Sequence, residues 1–282
     1  MTRAAAIVSG PPKVRRIGVC ADDFGLHDGV CTAVRELAGG GRLSAVSCLV
    51  DGPAWKKNID WLRSASVDVG LHLNLTEPLP GASFAVSLGA LIALTQLHAL
   101  GRPRVRAAIN AQLDAFESSL GRAPDFIDGH QHVHQFPVVR DELLQALAGR
   151  YAFRLWLRST SAHVGGGLAG FKRRVIEALG SRAFARAARK LDFPLSGKLL
   201  GVYDFGGEGT PYGDRIVRAL DNASDADLLM THPSTMTWVG DPISAARVRE
   251  FEFLRSAAFT DLLEEKKIVI ARMSTLRAER AS

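Results

Sequence analysis

Short apolar runs rich in β-branched residues recur along the chain, and most of them stop at Asp, His, Gly or Pro. They are Val14 to Ala21, Ser44 to Val50, Val67 to Leu75, Phe126–Ile127, Phe153 to Leu157, Leu199 to Tyr203, Asp227 to Met230 and Ile268 to Ala271. Continuous runs of this length, bounded by turn residues, predict fully buried parallel strands. Between several of them the apolar period lengthens. Val105, Ile109, Leu113, Phe116 and Leu120 fall on one helical stripe, closed by Gly121 and Pro124. Asp28 to Leu37 predicts a shorter helix, and Val248, Phe251, Leu254 and Leu262 a further stripe near the end. Eight strands with intervening helices predict an α/β chain forming a TIM-like (β/α) barrel with room for distortion; a doubly wound open sheet is the alternative.

The polar residues fall where such folds build their sites. Asp22, Asp23, His130, Arg158, Asp204 and His232 each close a predicted strand, and His72 lies inside the third. Side chains at the C-terminal ends of parallel strands face one common mouth, so an active site is expected there.

Composition adds bounds. Hydrophobic residues make up 47% and charged residues 23% of 282, which suits one globular domain over residues 14–282 behind a flexible leader at 1–13. No apolar run reaches the about eighteen residues that a membrane span needs. Cys20, Cys31 and Cys48 form no metal-type pair and lie in predicted elements, which predicts reduced thiols and a cytoplasmic protein.

Four clusters carry candidate chemistry. Phe126-Ile127-Asp128-Gly129-His130-Gln131-His132-Val133-His134 places three imidazoles and a carboxylate after a strand. Continued as a strand, it would set His130, His132 and His134 on one face. Neutral imidazole beside carboxylate suits a divalent ion such as zinc. Asp22-Asp23 offers one carboxylate for a metal and one for a base, with a helix N-cap as the bland alternative. Gly70 to Thr76 alternates Leu71, Leu73 and Leu75 against His72, Asn74 and Thr76, so one face reads as lining a site. Thr231-His232-Pro233 holds a histidine at a rim, suited to general acid work.

Ala21-Asp22-Asp23-Phe24-Gly25, Gly70-Leu71-His72-Leu73-Asn74-Leu75-Thr76 and Asp128-Gly129-His130-Gln131-His132-Val133-His134 occur in that order. Together they resemble the three signature blocks of the YdjC-like carbohydrate deacetylases, a family that includes chitooligosaccharide deacetylases and members associated with hopanoid biosynthesis. The resemblance implies a TIM-like barrel and one divalent ion, Mg2+ or Zn2+. It implies Asp23, His72 and His130 as metal ligands, Asp22 as the general base, and His232 in the late His-Pro motif, where Ser234 replaces the usual glycine. Asp128 and His134 would orient the ligand imidazoles, and His132 would face the wall or the substrate. Asn74 and Arg158 are the remaining candidates for substrate or supporting contacts.

The chemistry expected is hydrolysis of an N-acetyl amide on an amino sugar by metal-activated water. The substrate would be a free N-acetylated sugar or a sugar-lipid. A barrel phosphoesterase or amidohydrolase, or a non-catalytic sugar-binding barrel with a structural metal, are the competing readings. Lys and Arg exceed Asp and Glu by 35 to 29, giving +6. Part of that excess sits in a basic helical insertion within 160–198. Its stretch 171–191 could lie on a membrane surface, cap the barrel mouth or form a homo-oligomer contact. No nucleic-acid motif accompanies the charge, so no nucleic-acid partner is expected.

Overall fold

The computed structural model describes residues 14–153, 155–161, 174–206 and 211–281. The leader expected at 1–13 and the opening of the basic insertion at 162–173 lie outside the described residues.

Every predicted run carries a strand: β1 (Arg15–Phe24), β2 (Ala45–Cys48), β3 (Asp68–Leu73), β4 (Phe126–Gly129), β5 (Trp156–Leu157), β6 (Leu199–Leu200), β7 (Leu228–Thr231) and β8 (Ile268–Ile270). All the pairings are parallel, in the order β5-β4-β3-β2-β1-β7-β6, with β8 attached to β1. The helices are α1 (Asp28–Gly39), α2 (Trp55–Ser64), α3 (Leu88–Gln96), α4 (Arg102–Leu120), α5 (Val139–Arg150), α6 (Arg182–Lys190), α7 (Tyr212–Asp221), α8 (Ser244–Arg255), α9 (Ala257–Glu265) and α10 (Met273–Ala281).

The sheet is an incomplete barrel and not the closed TIM form. The reason lies in β8. Along a strand, successive peptide groups point to opposite edges. Arg15 donates to Lys267 O, Ile17 O accepts from Ala271, and Val19 O accepts from Ser44, which precedes β2. These odd-numbered residues share one edge, so β8 takes the lower part of the edge that β2 takes higher up. It does not insert into the ring. Opposite, among the described residues, no ladder joins β5 to β6. An isolated bridge from Leu157 to Leu195 spans part of that gap.

Helices cover the outside as the periodicity requires. α4 buries Val105, Ile109, Leu113, Phe116 and Leu120, and stops at Gly121 with φ 70. Burial of such side chains contributes about 1.5–3 kcal/mol each. The late stripe is two helices, broken at Ser256 between α8 and α9. In the basic stretch, Phe184 and Ala188 of α6 are buried, while Arg182, Arg186, Arg189 and Lys190 are exposed. The apolar face of this helix packs on the protein's own core. No helix among the described residues is long and apolar enough to cross a membrane.

Candidate metal centre and active site

Strand register assembles the site. β3 pairs with β4 so that His72 stands beside Asp128, and β2 pairs with β3 one strand away. Side chains at paired positions share a face. Ser47 Oγ donates to Asp128 Oδ1 at 2.5 Å, and His72 Nδ1 lies 2.6 Å from the same oxygen. An ionised carboxylate only accepts, so the shared proton sits on His72 Nδ1. That turns Nε2 outward, 3.3 Å from Asp23 Oδ1.

Two adjacent carboxylates reach one cavity because β1 is irregular at its end. Its register with β2 shifts between Ala21 and Phe24, and Asp23 has a left-handed backbone with φ 66. Gly25 follows at φ 101, where a side chain would strike Leu49 O at 2.5 Å. The bulge turns Asp23 toward the cavity beside Asp22. Asp23 Oδ1 also lies 3.0 Å from His130 Nδ1. One donor atom from each of Asp23, His72 and His130 falls within 4.8 Å of the others. One carboxylate and two imidazoles so placed fit a divalent cation. Burial works against a charged Asp23, but Arg247 and His130 overcome it and hold its carboxyl well below the usual range.

The segment after β4 is not a strand. It is a tight turn, with Gln131 at φ 52 and His132 at φ 60. The three histidines therefore diverge. His130 reaches Asp23. His132 lines the cavity, and its buried Nδ1 has no partner among the described residues. His134 points into the core: Nε2 donates to Arg158 O at 3.1 Å, and Phe184 meets its ring edge-on. Among the described residues it bonds to no ligand imidazole, whereas Asp128 and Ser47 both meet His72 Nδ1. Asn74 is also displaced, because β3 stops at Leu73. Its side chain donates to Asp51 Oδ2 and Glu77 O and accepts from Thr76 N and Glu77 N, so it shapes the loop that carries Glu77 to the cavity.

Arg158 is fully buried between carboxylates. Nη1 and Nη2 donate to Asp22 at 2.6 and 2.5 Å, Nη2 donates to Cys20 Sγ at 3.0 Å, and Nη2 lies 2.6 Å from Asp128 Oδ2. Cys20, Asp22 and Asp128 also place donor atoms within 4.8 Å of one another. The guanidinium stands among them, so that second cluster is an ion-pair core. His232 Nε2 lies 3.9 Å from Asp22 Oδ2, and the His232 backbone N–H donates to Glu250 Oε2 at 2.5 Å. Tyr203 Oη donates to Glu250 Oε1. Sequence reading missed Glu250 and Arg247. Both are charged residues, three apart, on the buried face of α8, and that misfit with an apolar stripe is the signal that could have found them.

Asp22, Asp23, His72, His130, His132, His232 and Arg247 all line one cavity of about 550 Å³. Away from this polar end its walls are mainly aliphatic, with Leu79, Leu88, Ile92, Val175, Leu179 and Ile243. The three cysteines are buried thiols, and burial pushes all of them up from their usual pKa.

His134 supplies a pH prediction. Burial holds its pKa down at about 4, against about 6.5 unfolded. Between those values the unfolded chain binds the extra proton, so stability rises with pH there. Urea unfolding is expected to lose up to about 1.4 kcal/mol per pH unit as pH falls from about 6.5 toward 4. The His134→Gln variant should flatten that slope; an unchanged slope would assign it elsewhere.

The profile of the family described as YdjC-like protein matches residues 16–265. The chain belongs to the YdjC-like family. Two relatives named carbohydrate deacetylase, from Mus musculus and Homo sapiens, are 37% and 36% identical over 149 and 169 residues. Those matches cover 48% and 55% of this YdjC-like chain, and it spans about half the length of the curated relatives, 48% and 51%. A relative named chitooligosaccharide deacetylase, from Enterobacter sp. (strain 638), is 30% identical over 43% of the chain and 51% of its own length. Among solved structures, an Enterococcus faecalis V583 protein named for cellobiose-phosphate cleavage overlays with TM-score 0.68 at 20% identity, covering 94% of this chain and 99% of that one. The Bc1960 peptidoglycan N-acetylglucosamine deacetylase overlays with TM-score 0.50 at 11% identity, covering 95% and 90%. At those identities the structures speak for the fold alone.

Proposed function

We propose that this YdjC-like protein is a metal-dependent carbohydrate N-deacetylase. The observation that carries the reading is the convergence of Asp23, His72 and His130 beside Asp22 and His232 in one cavity. The relatives' names point to the same chemistry. Asp23 Oδ1, the His72 nitrogen freed by Asp128, and His130 would hold the divalent ion, Mg2+ or Zn2+. When bound, that ion supplies Lewis acidity, making water acidic and polarising an acyl carbonyl.

The protein's own groups supply the proton transfers. Asp22 faces the cavity while Arg158 grips both of its oxygens, which fixes the carboxylate's plane and leaves further lone pairs to take a proton from water. His232 stands 3.9 Å from that carboxylate on the cavity side, placed to give a proton to the departing amine. Glu250 fixes the His232 backbone from behind. The products would be acetate and a free amino sugar. A closed structural metal site would need no base and no acid, which weighs against the non-catalytic reading.

The aliphatic wall favours a substrate that carries an apolar group next to its N-acylated sugar, the sugar-lipid form over a free oligosaccharide. Acetate release from N-acetylglucosamine and from its long-chain alkyl glycoside, with and without chelator, tests both parts. Activity abolished by chelator, restored by Mg2+ or Zn2+ and higher on the alkyl glycoside is the expected result. Indifference to chelator would remove the metal, and no acetate from any N-acetylated sugar would remove the deacetylase. In parallel, His130→Ala is expected to lose bound metal in elemental analysis, while His132→Ala keeps it. The reverse pattern would reassign the ligand.

A further inference from the structure

Arg247 is a charged residue where its helix should be apolar. It shares the buried face of α8 with Ala246, Phe251 and Leu254 and is 2% exposed. Burying a guanidinium costs several kcal/mol unless it is paired. Both of its pairings involve the site. Nη2 donates to Asp23 Oδ2 at 2.7 Å, and Nε donates to Asp241 Oδ2 at 2.6 Å. Asp23 keeps Oδ1 toward His72 and His130, so Arg247 holds the oxygen that those imidazoles do not face. The left-handed backbone of Asp23 is a conformation that a residue other than glycine keeps only where its surroundings fix it.

The other arm of Arg247 leads to the substrate side. Asp241 lies in the loop between β7 and α8, and Trp238, Val239 and Ile243 of that loop wall the cavity. Asp241 Oδ1 accepts from Ile243 N at 3.1 Å, and its carbonyl accepts from Ser244 N. His27 Nε2 lies 4.0 Å from Asp241 Oδ2, and its ring stacks on Trp238 with centroids 5.1 Å apart. Trp238 is 49% exposed. Packed contacts thus run without a break from Trp238 through His27, Asp241 and Arg247 to Asp23.

We propose that Arg247 is a positioning residue that couples the Asp23 carboxylate to the Trp238–Ile243 loop through Asp241, so that loop and metal ligand are set together. The inference rests on Asp23 being a metal ligand, as proposed above. It requires that cation affinity depend on residues that do not touch the cation. By reciprocity, cation binding must be felt at the loop. A simple charge argument has the opposite sign: a guanidinium beside the site repels a cation, so deleting it would tighten binding.

Calorimetric titration of the metal-free protein with Zn2+ alone separates these. Arg247→Met is expected to bind Zn2+ about 10–100-fold more weakly, and Arg247→Lys, which keeps the charge and a donor, to recover part of that loss. Asp241→Asn leaves Asp23 and its arginine in place and should still weaken Zn2+ binding, by several-fold. In the wild type, Zn2+ should change the Trp238 fluorescence, isolated by subtracting the Trp238→Phe spectrum; in Asp241→Asn that change should vanish. Unchanged or tighter Zn2+ binding in Arg247→Met and Asp241→Asn overturns the coupling while leaving the metal site standing. If Arg247→Met does not fold, Asp241→Asn decides alone. A wild type that binds no Zn2+ overturns the metal reading and the coupling with it.

Discussion

Asp22→Asn is expected to lower kcat for deacetylation by about 10²–10⁴-fold, which is about 3–5 kcal/mol of transition-state stabilisation. Asparagine keeps the shape and still accepts from Arg158 through one oxygen, but it cannot take a proton from water. Asp22 touches none of Asp23, His72 and His130 in the hydrogen bonds of the site, so metal content should stay near one equivalent. Stability will fall, because Arg158 loses half of a bidentate pair. Rates must therefore be taken on folded, metal-loaded protein, with metal content and melting temperature measured on the same sample. KM should move little, since the lost interaction is with the transferring proton. Full activity in that sample would take the base role away from Asp22.

Much of this architecture was legible in the chain because buried parallel strands need continuous apolar runs, and those runs end at the residues that do chemistry. Closure was not legible. It depends on which peptide groups of β1 meet β8, and Arg15, Ile17 and Val19 show no sequence preference between one edge and the other. Residue type marked the clusters, and the family resemblance singled out Asp23, His72 and His130 within them, yet their convergence has a backbone cause that no pattern displays. Asp23 reaches the cavity through a bulge and a left-handed φ, and His130 through a turn in which Gln131 and His132 are also left-handed. Reading that turn as a strand placed His134 in the site, when it belongs to the core. Asn74 was misplaced in the same way, since alternation was carried past the end of β3 at Leu73. Arg247 and Glu250 were hidden inside a stripe read only for its apolar members.

Arg158→Met is expected to be the most destabilising single substitution, at about 3–5 kcal/mol, a large part of the about 5–15 kcal/mol that holds a domain of ordinary stability. The side chain is wholly enclosed, and methionine fills much of its volume, so the loss is chiefly electrostatic. Asp22 and Asp128 would be left buried without their shared cation, within 4.8 Å of each other at their donor atoms. The arginine and His72 are what hold the Asp128 carboxyl well below its usual pKa against the cost of burial. Without the arginine, Asp128 should take up a proton, and its hold on His72 Nδ1 should loosen. If Arg158, Asp22 and Asp128 act as one unit, their substitutions cannot add. Arg158→Met combined with Asp22→Asn removes a positive and a negative charge together, so the pair should cost about 1–3 kcal/mol less than the sum of the two singles. Urea unfolding of the four proteins measures that difference directly. Strict additivity would mean that Arg158 and Asp22 are stabilised separately, and that the carboxylate assigned as base owes nothing to the cation pressed against it.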